Sequence, residues 1–347
     1  MNKYKSQGKI SMFDQEDTIQ KLSEMGNPLE KLSNVIDFEM FREDLESSLL
    51  NTSKKNNAGA KPYDVVMMFK IIILQRYYNI SDEQAEYQIN DRNSFRAFLG
   101  LERGDKVPDS RTIWLFRERL TVKGLGDRLF HKFVDYLLSK GLIFNEGQII
   151  DASFVLVPKQ RNTREENKEI KEGNGAKLWT DNPHKKCHKD VDARWTKKAG
   201  VSYFGYKLHG KVDSRSKFVN EIEVTTASVH DSQAVKNLLK ESDRGQTLFA
   251  DSAYVGQDDI LKKYEVFGQI CEKGYRGHPI SKDQAWMNRM RSKLRSRVEH
   301  VFGFMEGAMH GLKLRSIGIV RATQSIFLEA LTYNMFRFEQ IERLGVN

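Results

Sequence analysis

The stretch GQIIDASFVLVP, residues 147–158, marks the point where the helical periodicity of the chain gives way to β structure. It is short, apolar and rich in β-branched residues, and it ends at Pro158, which indicates a buried strand. Asp151 stands at its centre, and a carboxylate in a buried strand is costly unless it is paired or binds a cation. The stretch therefore predicts the start of a sheet and a position at which chemistry is expected.

The pattern beyond this stretch predicts a mixed sheet flanked by helices, which is an α+β fold. Residues 159–200 are basic, polar and poor in large aliphatic side chains, so we expect a mobile loop or an insertion there. The alternation of apolar and polar residues predicts further strands at 203–214, 217–228, 245–256 and 267–274, and helices at 230–242, 257–265, 282–309 and 320–344.

The residues before 147 predict helices. An apolar run at 62–80 is followed by two shorter helices near 82–101 and 111–120 with a turn between them, which is the outline of a helix-turn-helix. An all-helical packing domain has the same outline, so both interpretations stay open. The predicted domains are an N-terminal segment and linker at 1–60, with NTSKKNNAGAK at 51–61 as the linker or exposed loop, a helical domain at 61–145, and a mixed-sheet domain at 146–347.

Positive charge is concentrated in the second part of the chain. The 347 residues carry 56 Lys and Arg against 47 Asp and Glu, a net charge of +9, and the first 150 residues balance to zero. Residues 273–297 hold eight basic side chains and one acid, which indicates either a phosphate-contacting surface or a solvated helix face. Polyanions are therefore the first class of partner to consider.

Cysteine content and hydropathy indicate the compartment. Two cysteines cannot form a disulfide framework, the polar start has no apolar signal segment, and the most apolar run, at 65–78, is too short to span a bilayer. We therefore expect a cytoplasmic protein that does not enter a membrane.

Three acids stand where a purely structural role would favour another residue. Asp151 and Asp251 lie in apolar strands that we expect to be neighbours, and Glu299 lies in an apolar-rich helical segment just after Arg295 and Arg297. Either aspartate alone can simply cap a turn. Together the three form the oxygen-rich donor set that Mg²⁺ prefers.

The residues also carry a resemblance to a known family. The chain resembles a bacterial insertion-sequence transposase of the DDE type, in the insertion-sequence-five family, over nearly its whole length. The similar passages are RYYNISDEQAEYQIND, FRAFLGL, VPDSRTIWLFRERL, IIDASFV, DARWTKK, YFGYKLHGKVD, TTASVHDSQ, ADSAYVG, RSRVEHVFGFM, LRSIGIVRA and LTYNMFR.

The resemblance implies an RNase H-like catalytic core, with Asp151, Asp251 and Glu299 as a catalytic triad that binds Mg²⁺, for which Mn²⁺ substitutes. It also implies two-metal chemistry, in which water cuts the DNA backbone and the liberated 3′-OH attacks target DNA. The expected partners are double-stranded DNA, as terminal inverted repeats and as target, and further copies of the chain in a synaptic complex. The expected location is the nucleoid-associated cytoplasm of a bacterium.

One part of the family's signature differs in this chain. Family members carry a Tyr-Arg-Glu-Lys signature around the last acid, and Arg295 matches its arginine. Ser292 stands at the tyrosine position and Glu306 at the lysine position. This departure affects a phosphate clamp rather than the metal ligands, and Lys313 or Arg315 is the hypothetical substitute.

Several further residues are candidates for contact with DNA. Arg111 and Arg117 lie on the helix expected to read the terminal repeat, and Trp195 can stack on an unpaired base. Lys207 and His209 share a strand face that points toward DNA or solvent. The remaining candidates are His230, at the start of a predicted helix, the basic-helix residues Arg291, Arg295 and Arg297, and the basic loop with His184, Cys187 and His188, for which we favour DNA contact over structural zinc.

Two other functions fit the same residues. The altered signature is compatible with a catalytically inactive or repurposed transposase that only binds DNA. A structure-specific nuclease that never joins ends is the third interpretation.

Overall fold

The computed structural model describes residues 14–50, 61–102 and 104–345. Most of the predicted linker at 51–61 lies outside these residues. Within them, the α+β fold expected from the sequence is confirmed: helices come first, and a mixed sheet with helices on both faces follows.

The N-terminal helices begin and end at the capping residues that the sequence supplies. Asp64 accepts hydrogen bonds from the backbone N–H groups of Val66 and Met67, and the following helix ends at Asn79, which has a left-handed φ of 46°. Ser81 then caps the next helix, as predicted. The helices are α1 Asp14–Glu24, α2 Pro28–Val35, α3 Arg42–Leu49, α4 Val65–Tyr78, α5 Asp82–Asp91, α6 Asn93–Leu99, α7 Ser110–Val122 and α8 Leu125–Ser139.

The sheet has six strands among the described residues. Strand β1 lies at its centre, antiparallel to β3 and parallel to β5, while β6 extends the sheet beyond β5, and β2 and β4 both pair with β3. The strands are β1 Gly147–Leu156, β2 Arg194–Lys198, β3 Val201–Asp213, β4 Val219–Thr226, β5 Thr247–Ala250 and β6 Phe267–Ile270. The later helices are α9 Arg164–Lys171, α10 Pro183–Cys187, α11 Val235–Leu238, α12 Asp258–Lys263, α13 Lys282–Gly303 and α14 Ile319–Leu344.

The two faces of β1 pack into different cores. Ile149 and Val155 join a large apolar cluster that includes α13, α14 and the N-terminal helices. Ile150 joins a smaller cluster with Leu248 and Tyr254 on the opposite face. Because side chains alternate along a strand, Asp151 lies on the face that α13 covers.

Of the two alternatives expected at 159–200, a loop without regular structure is not what is observed, because this segment contains α9, α10 and β2, while an insertion stays a prediction. Hydrogen bonds between polar groups, rather than a periodic apolar face, hold this segment in its conformation. Glu166 accepts hydrogen bonds from Trp179 Nε1 at 2.7 Å, Lys185 Nζ at 2.6 Å and the backbone of Thr163 at 2.9 Å. The buried Asp190 accepts a hydrogen bond from the Tyr206 hydroxyl.

Two helices are shorter than the sequence pattern predicts. The segment at 230–242 forms a 3₁₀ turn and then the four residues of α11, and α13 ends at Gly303 before a π-helical turn. In the described parts of the chain, no helix combines the length and the apolar character needed to cross a bilayer.

Candidate active site

The two aspartates lie on neighbouring parallel strands. The register pairs Ile149 of β1 with Phe249 of β5, and each aspartate follows two residues later. Asp151 therefore lies inside β1, while Asp251 lies one residue beyond the end of β5, where it accepts a 2.8 Å hydrogen bond from the N–H of Ala253. The topology thus brings together two acids that are far apart in sequence.

Helix α13 brings the third acid to this place. It packs on both β1 and β5, and Arg295 lies one turn before Glu299 on it. The Arg295 guanidinium donates to Asp151 Oδ2 at 2.7 Å and to Glu299 Oε1 at 3.3 Å. Arg295 therefore joins the acid of the strand to the acid of the helix.

The surroundings of Asp151 affect the pKa of its carboxyl group in opposite directions. Burial raises the pKa of Asp151, and the neighbouring charge of Asp251 raises it further. The Ala152 N–H, which donates to Asp151 Oδ1 at 2.8 Å, and the positive charge of Arg295 oppose this rise in pKa. Two carboxylates thus repel each other in a partly dehydrated place, and a bound cation would relieve that repulsion.

The donor set fits a hard divalent cation. Asp151, Asp251 and Glu299 offer only oxygen ligands, which suit Mg²⁺ and Mn²⁺. In the part of the chain that the structure describes, no three His, Cys, Asp or Glu side chains are gathered closely enough to hold an ion. Arg295 instead contacts two of the acids.

Tyr254 is a neighbour of the acids that the sequence did not single out. Burial, followed by the charges of Asp151, Asp231 and Asp251, raises the pKa of its phenol, so it stays protonated. Its buried hydroxyl has no hydrogen-bond partner among the residues described. The signal in the sequence was its position in the ADSAY passage, three residues after Asp251.

The residues at the altered signature positions make contacts within the protein. Glu306 accepts a hydrogen bond from the hydroxyl of Ser153, two residues after Asp151 on β1. Ser292 lies 3.9 Å from the thiol of Cys271. Of the two hypothetical substitutes, Arg315 donates to the carbonyl of Asn79 at 3.3 Å, and Lys313 lines the same cavity as Ser153 and Glu306.

Three of the predicted DNA-contacting arginines are engaged within the protein. Arg117 forms an ion pair with Asp82. Arg291 donates to Gln269 at 3.1 Å and to the Ile270 carbonyl at 2.8 Å, which ties α13 to β6. Arg297 donates to the carbonyl of Ser214.

The sequence suggested that Lys207 and His209 point toward DNA or solvent, and in the structure both side chains have hydrogen-bond partners within the protein. Lys207 donates to Asp231 Oδ1 at 2.8 Å and to the Val229 carbonyl at 2.7 Å. His209 is fully buried, its Nε2 lies 2.8 Å from the Thr225 hydroxyl, and burial lowers its pKa to about 4. The segment from Val229 to Leu238 lies over the face of β3 that carries Lys207 and His209. The alternation of residues along the strand could not predict this cover.

The other predicted DNA contacts lie at the surface. Arg111 is exposed near the start of α7, and His230 is exposed where it caps the 3₁₀ turn. Trp195 is 49% exposed and packs against Phe204. His184, Cys187 and His188 are exposed as well, and Cys187 donates to the carbonyl of His184 at 3.0 Å.

Comparison with known proteins shows the family of the chain. The model of a family described as "Transposase domain (DUF772)" matches residues 17–119. The chain is similar in fold to the structure titled "Cryo-EM structure of piggyBac transposase synaptic complex with hairpin DNA (SNHP)", at 12% identity and a TM-score of 0.45 over 92% of this chain and 77% of that one. The model of the family described as "Transposase DDE domain" matches residues 144–335, which include all three acids and more than half of the chain. The chain therefore belongs to the DDE transposase family and is a transposase.

Proposed function

We propose that this transposase binds the terminal inverted repeats of a bacterial insertion sequence of the insertion-sequence-five family, and that it cuts and joins DNA with Mg²⁺. The observation that carries the proposal is the ion-pair arrangement of Arg295 with Asp151 and Glu299, beside Asp251. Arg295 links an acid of β1 to an acid of α13 there, and Asp251 follows the parallel strand β5, although 100 and 48 residues separate the three acids along the chain.

Asp151, Asp251 and Glu299 hold the metal in this proposal, and the bound ions would supply a polarised water and a stabilised leaving 3′ oxygen. The protein's own part is positioning and charge. Burial of Asp151 keeps bulk water from its carboxylate, and the guanidinium of Arg295 would be placed to contact a phosphate. The protonated phenol of Tyr254 forms an uncharged wall beside them.

The proposed DNA contacts follow from exposure. Arg111, Trp195 and His230 are free to reach DNA, whereas Arg117, Arg291 and Arg297 would contact it only after giving up bonds within the protein. We further propose that the transposase acts as a homo-oligomer that holds two DNA ends in the bacterial nucleoid. The helical residues 61–145 would recognise the terminal repeat and residues 146–347 would perform the chemistry.

The experiment mixes the purified chain with labelled duplexes that carry the two ends of the DNA segment encoding it, in Mg²⁺, Mn²⁺ or EDTA. We expect new 3′-OH ends and joined products with either metal and none with EDTA. Cleavage without joined products would instead favour a structure-specific nuclease. Tight binding of the ends without any cleavage would favour a repurposed DNA-binding protein.

A further inference from the structure

A basic groove lies between the N-terminal helices and the catalytic part of the chain. It has a volume of about 560 Å³, and it is bounded by the end of α4, the start of α5, α7, α10 and the segment from Lys313 to Ile317. Trp114 on α7 faces it with 46% of its surface exposed. The groove is therefore built from three regions that are distant in sequence.

The charges of the groove do not cancel. Its two acids are already paired, Asp82 with Arg117 and Glu118 with Arg321. The exposed cations that remain are Lys186, Lys313 and Arg315.

These three cations have few partners within the protein. Lys186 donates to the carbonyl of Ala176 at 3.0 Å, and Arg315 donates to that of Asn79 at 3.3 Å. The ammonium of Lys313 has no partner among the described residues. Among the described residues, none of these three cations forms an ion pair with a carboxylate, so the groove presents positive charge of the kind that binds phosphate.

Lys313 connects the groove with the acids. It also lines a second cavity, of about 300 Å³, together with Ser153 and Glu306. Its backbone is fixed to the catalytic strand, because Leu156 of β1 donates to the Leu312 carbonyl at 2.9 Å and accepts from the Leu314 N–H at 2.8 Å. The position of Lys313 relative to Asp151 is thus set by a continuous strand.

We propose that this groove holds the phosphate backbone of duplex DNA leading away from the cleavage position, with Lys313 as the nearest phosphate contact. Asp151 and Leu156 are five residues apart on β1, or about 17 Å at roughly 3.3 Å per residue. A DNA strand advances about 3.4 Å per nucleotide, so Lys313 faces a phosphate about five nucleotides from the cut. This inference rests on the proposed function for its substrate.

The first test measures binding to the end duplex in EDTA, where no cleavage is needed, as a function of salt. Lys313→Gln and Arg315→Gln are compared with Lys262→Gln and Lys263→Gln, exposed lysines on α12 outside the groove. We expect each groove variant to reduce the salt-dependence slope by about one, and the α12 variants to leave it unchanged. Lys313→Gln breaks no bond within the described residues, so its melting temperature should match that of the wild type.

The second test replaces single phosphates by neutral methylphosphonates along the end duplex. We expect weaker binding of the wild type when the neutral phosphate lies about four to six nucleotides from the cut, and no additional loss in Lys313→Gln. Two results would overturn the proposal that the groove holds DNA. One is the same salt-dependence slope in the groove variants and the α12 variants. The other is that, at every position along the duplex, the methylphosphonate weakens binding of Lys313→Gln as much as it weakens binding of the wild type. Failure of the wild type to cut DNA would instead overturn the proposed function and leave the salt slopes as the test of the groove.

Discussion

Arg295 partly neutralises the charge of two of the three acids. Its guanidinium contacts Asp151 and Glu299 and is 22% exposed. A positive charge in this place competes with a metal ion for the same carboxylates. In the proposed function the same charge is available to the phosphate that reacts.

Arg295→Ala should therefore separate metal binding from catalysis. We expect Mn²⁺ to bind about fivefold more tightly, because removal of one nearby cation is worth on the order of 1 kcal/mol. Cleavage should nevertheless slow strongly, since the phosphate loses its positioning charge. Electron paramagnetic resonance of bound Mn²⁺ and single-turnover cleavage measure the two effects, and Arg289→Ala is the control on the exposed face of α13. Weaker Mn²⁺ binding in Arg295→Ala would show that Arg295 organises the ligands rather than competing for them.

Glu329 on α14 is almost fully buried, which is costly for an ionised carboxylate without a hydrogen-bond partner. It is 1% exposed, neither carboxylate oxygen has a hydrogen-bond partner in the described chain, and burial raises its pKa to about 8 against the opposing charge of Arg76. A Cβ at Gly311 would lie 1.6 Å from Glu329 Oε1, so only glycine fits beside it. The site is closely packed around a neutral carboxyl group.

The pH dependence of stability should reveal this group. The folded protein retains a proton on Glu329 that the unfolded chain loses near pH 4.5, so its contribution to stability is full below pH 4.5 and is lost as the pH rises to about 8. Glu329→Gln should remove that decline, which amounts to a few kcal/mol, and should make the protein more stable than the wild type above pH 8. Denaturant unfolding between pH 5 and about 9 measures it, with the exposed Glu342→Gln as the control. A wild-type and Glu329→Gln pair with parallel pH profiles would contradict a protonated Glu329.

Among the elements, β1 and α13 were readable from the sequence because each has a simple pattern. A short β-branched run with one acid predicted β1, and a basic helix with Glu299 in an apolar setting predicted α13. The segment at 159–200 was not readable in this way. Its order comes from Glu166 and Asp190, and polar contacts between residues distant in sequence leave no periodic signal.

Loss of the Glu166 contacts should loosen this segment without disturbing the sheet. Glu166→Ala removes three hydrogen-bonded partners, at a cost of about 1–3 kcal/mol to local stability. We expect faster proteolytic cleavage within 159–198 and an unchanged global unfolding midpoint. Glu172→Ala, which removes only an exposed ion pair of 3.9 Å with Lys168, should behave as the wild type. Equal cleavage rates in the two variants would mean that Glu166 does not hold the segment.

At the scale of the whole molecule, α14 joins the helical and the catalytic parts. It packs on α2, α4, α7 and α8 and also on β4, and one apolar cluster runs from Leu29 to Ile341. The sequence predicted separate domains with a boundary near residue 145, because helical and strand periodicity change there. Periodicity reports local structure, and it could not show that both regions share one core.

The net charge of the molecule did not reveal which basic residues are engaged within the protein. The net +9 lies in the second half of the chain, but two of the basic residues there, Arg291 and Arg297, form hydrogen bonds that fix α13. The groove with Lys313 lies between regions instead, and no single stretch of sequence identifies it. The expected strand order made Asp151 and Asp251 neighbours, as the pairing of β1 with β5 confirms, whereas the partners of the basic residues required the structure.

The central claim is that Asp151, Asp251 and Glu299 act as one metal-dependent site, and the most direct measurement is DNA cleavage by charge-removing variants of similar shape. Asp151→Asn, Asp251→Asn and Glu299→Gln should each lower single-turnover cleavage and strand transfer in Mg²⁺ by at least about a thousandfold, because each removes a metal ligand. Binding of the end duplex in EDTA should stay within about twofold of the wild type, since none of the three is assigned to hold the duplex. Wild-type cleavage by any one of these variants would contradict the account.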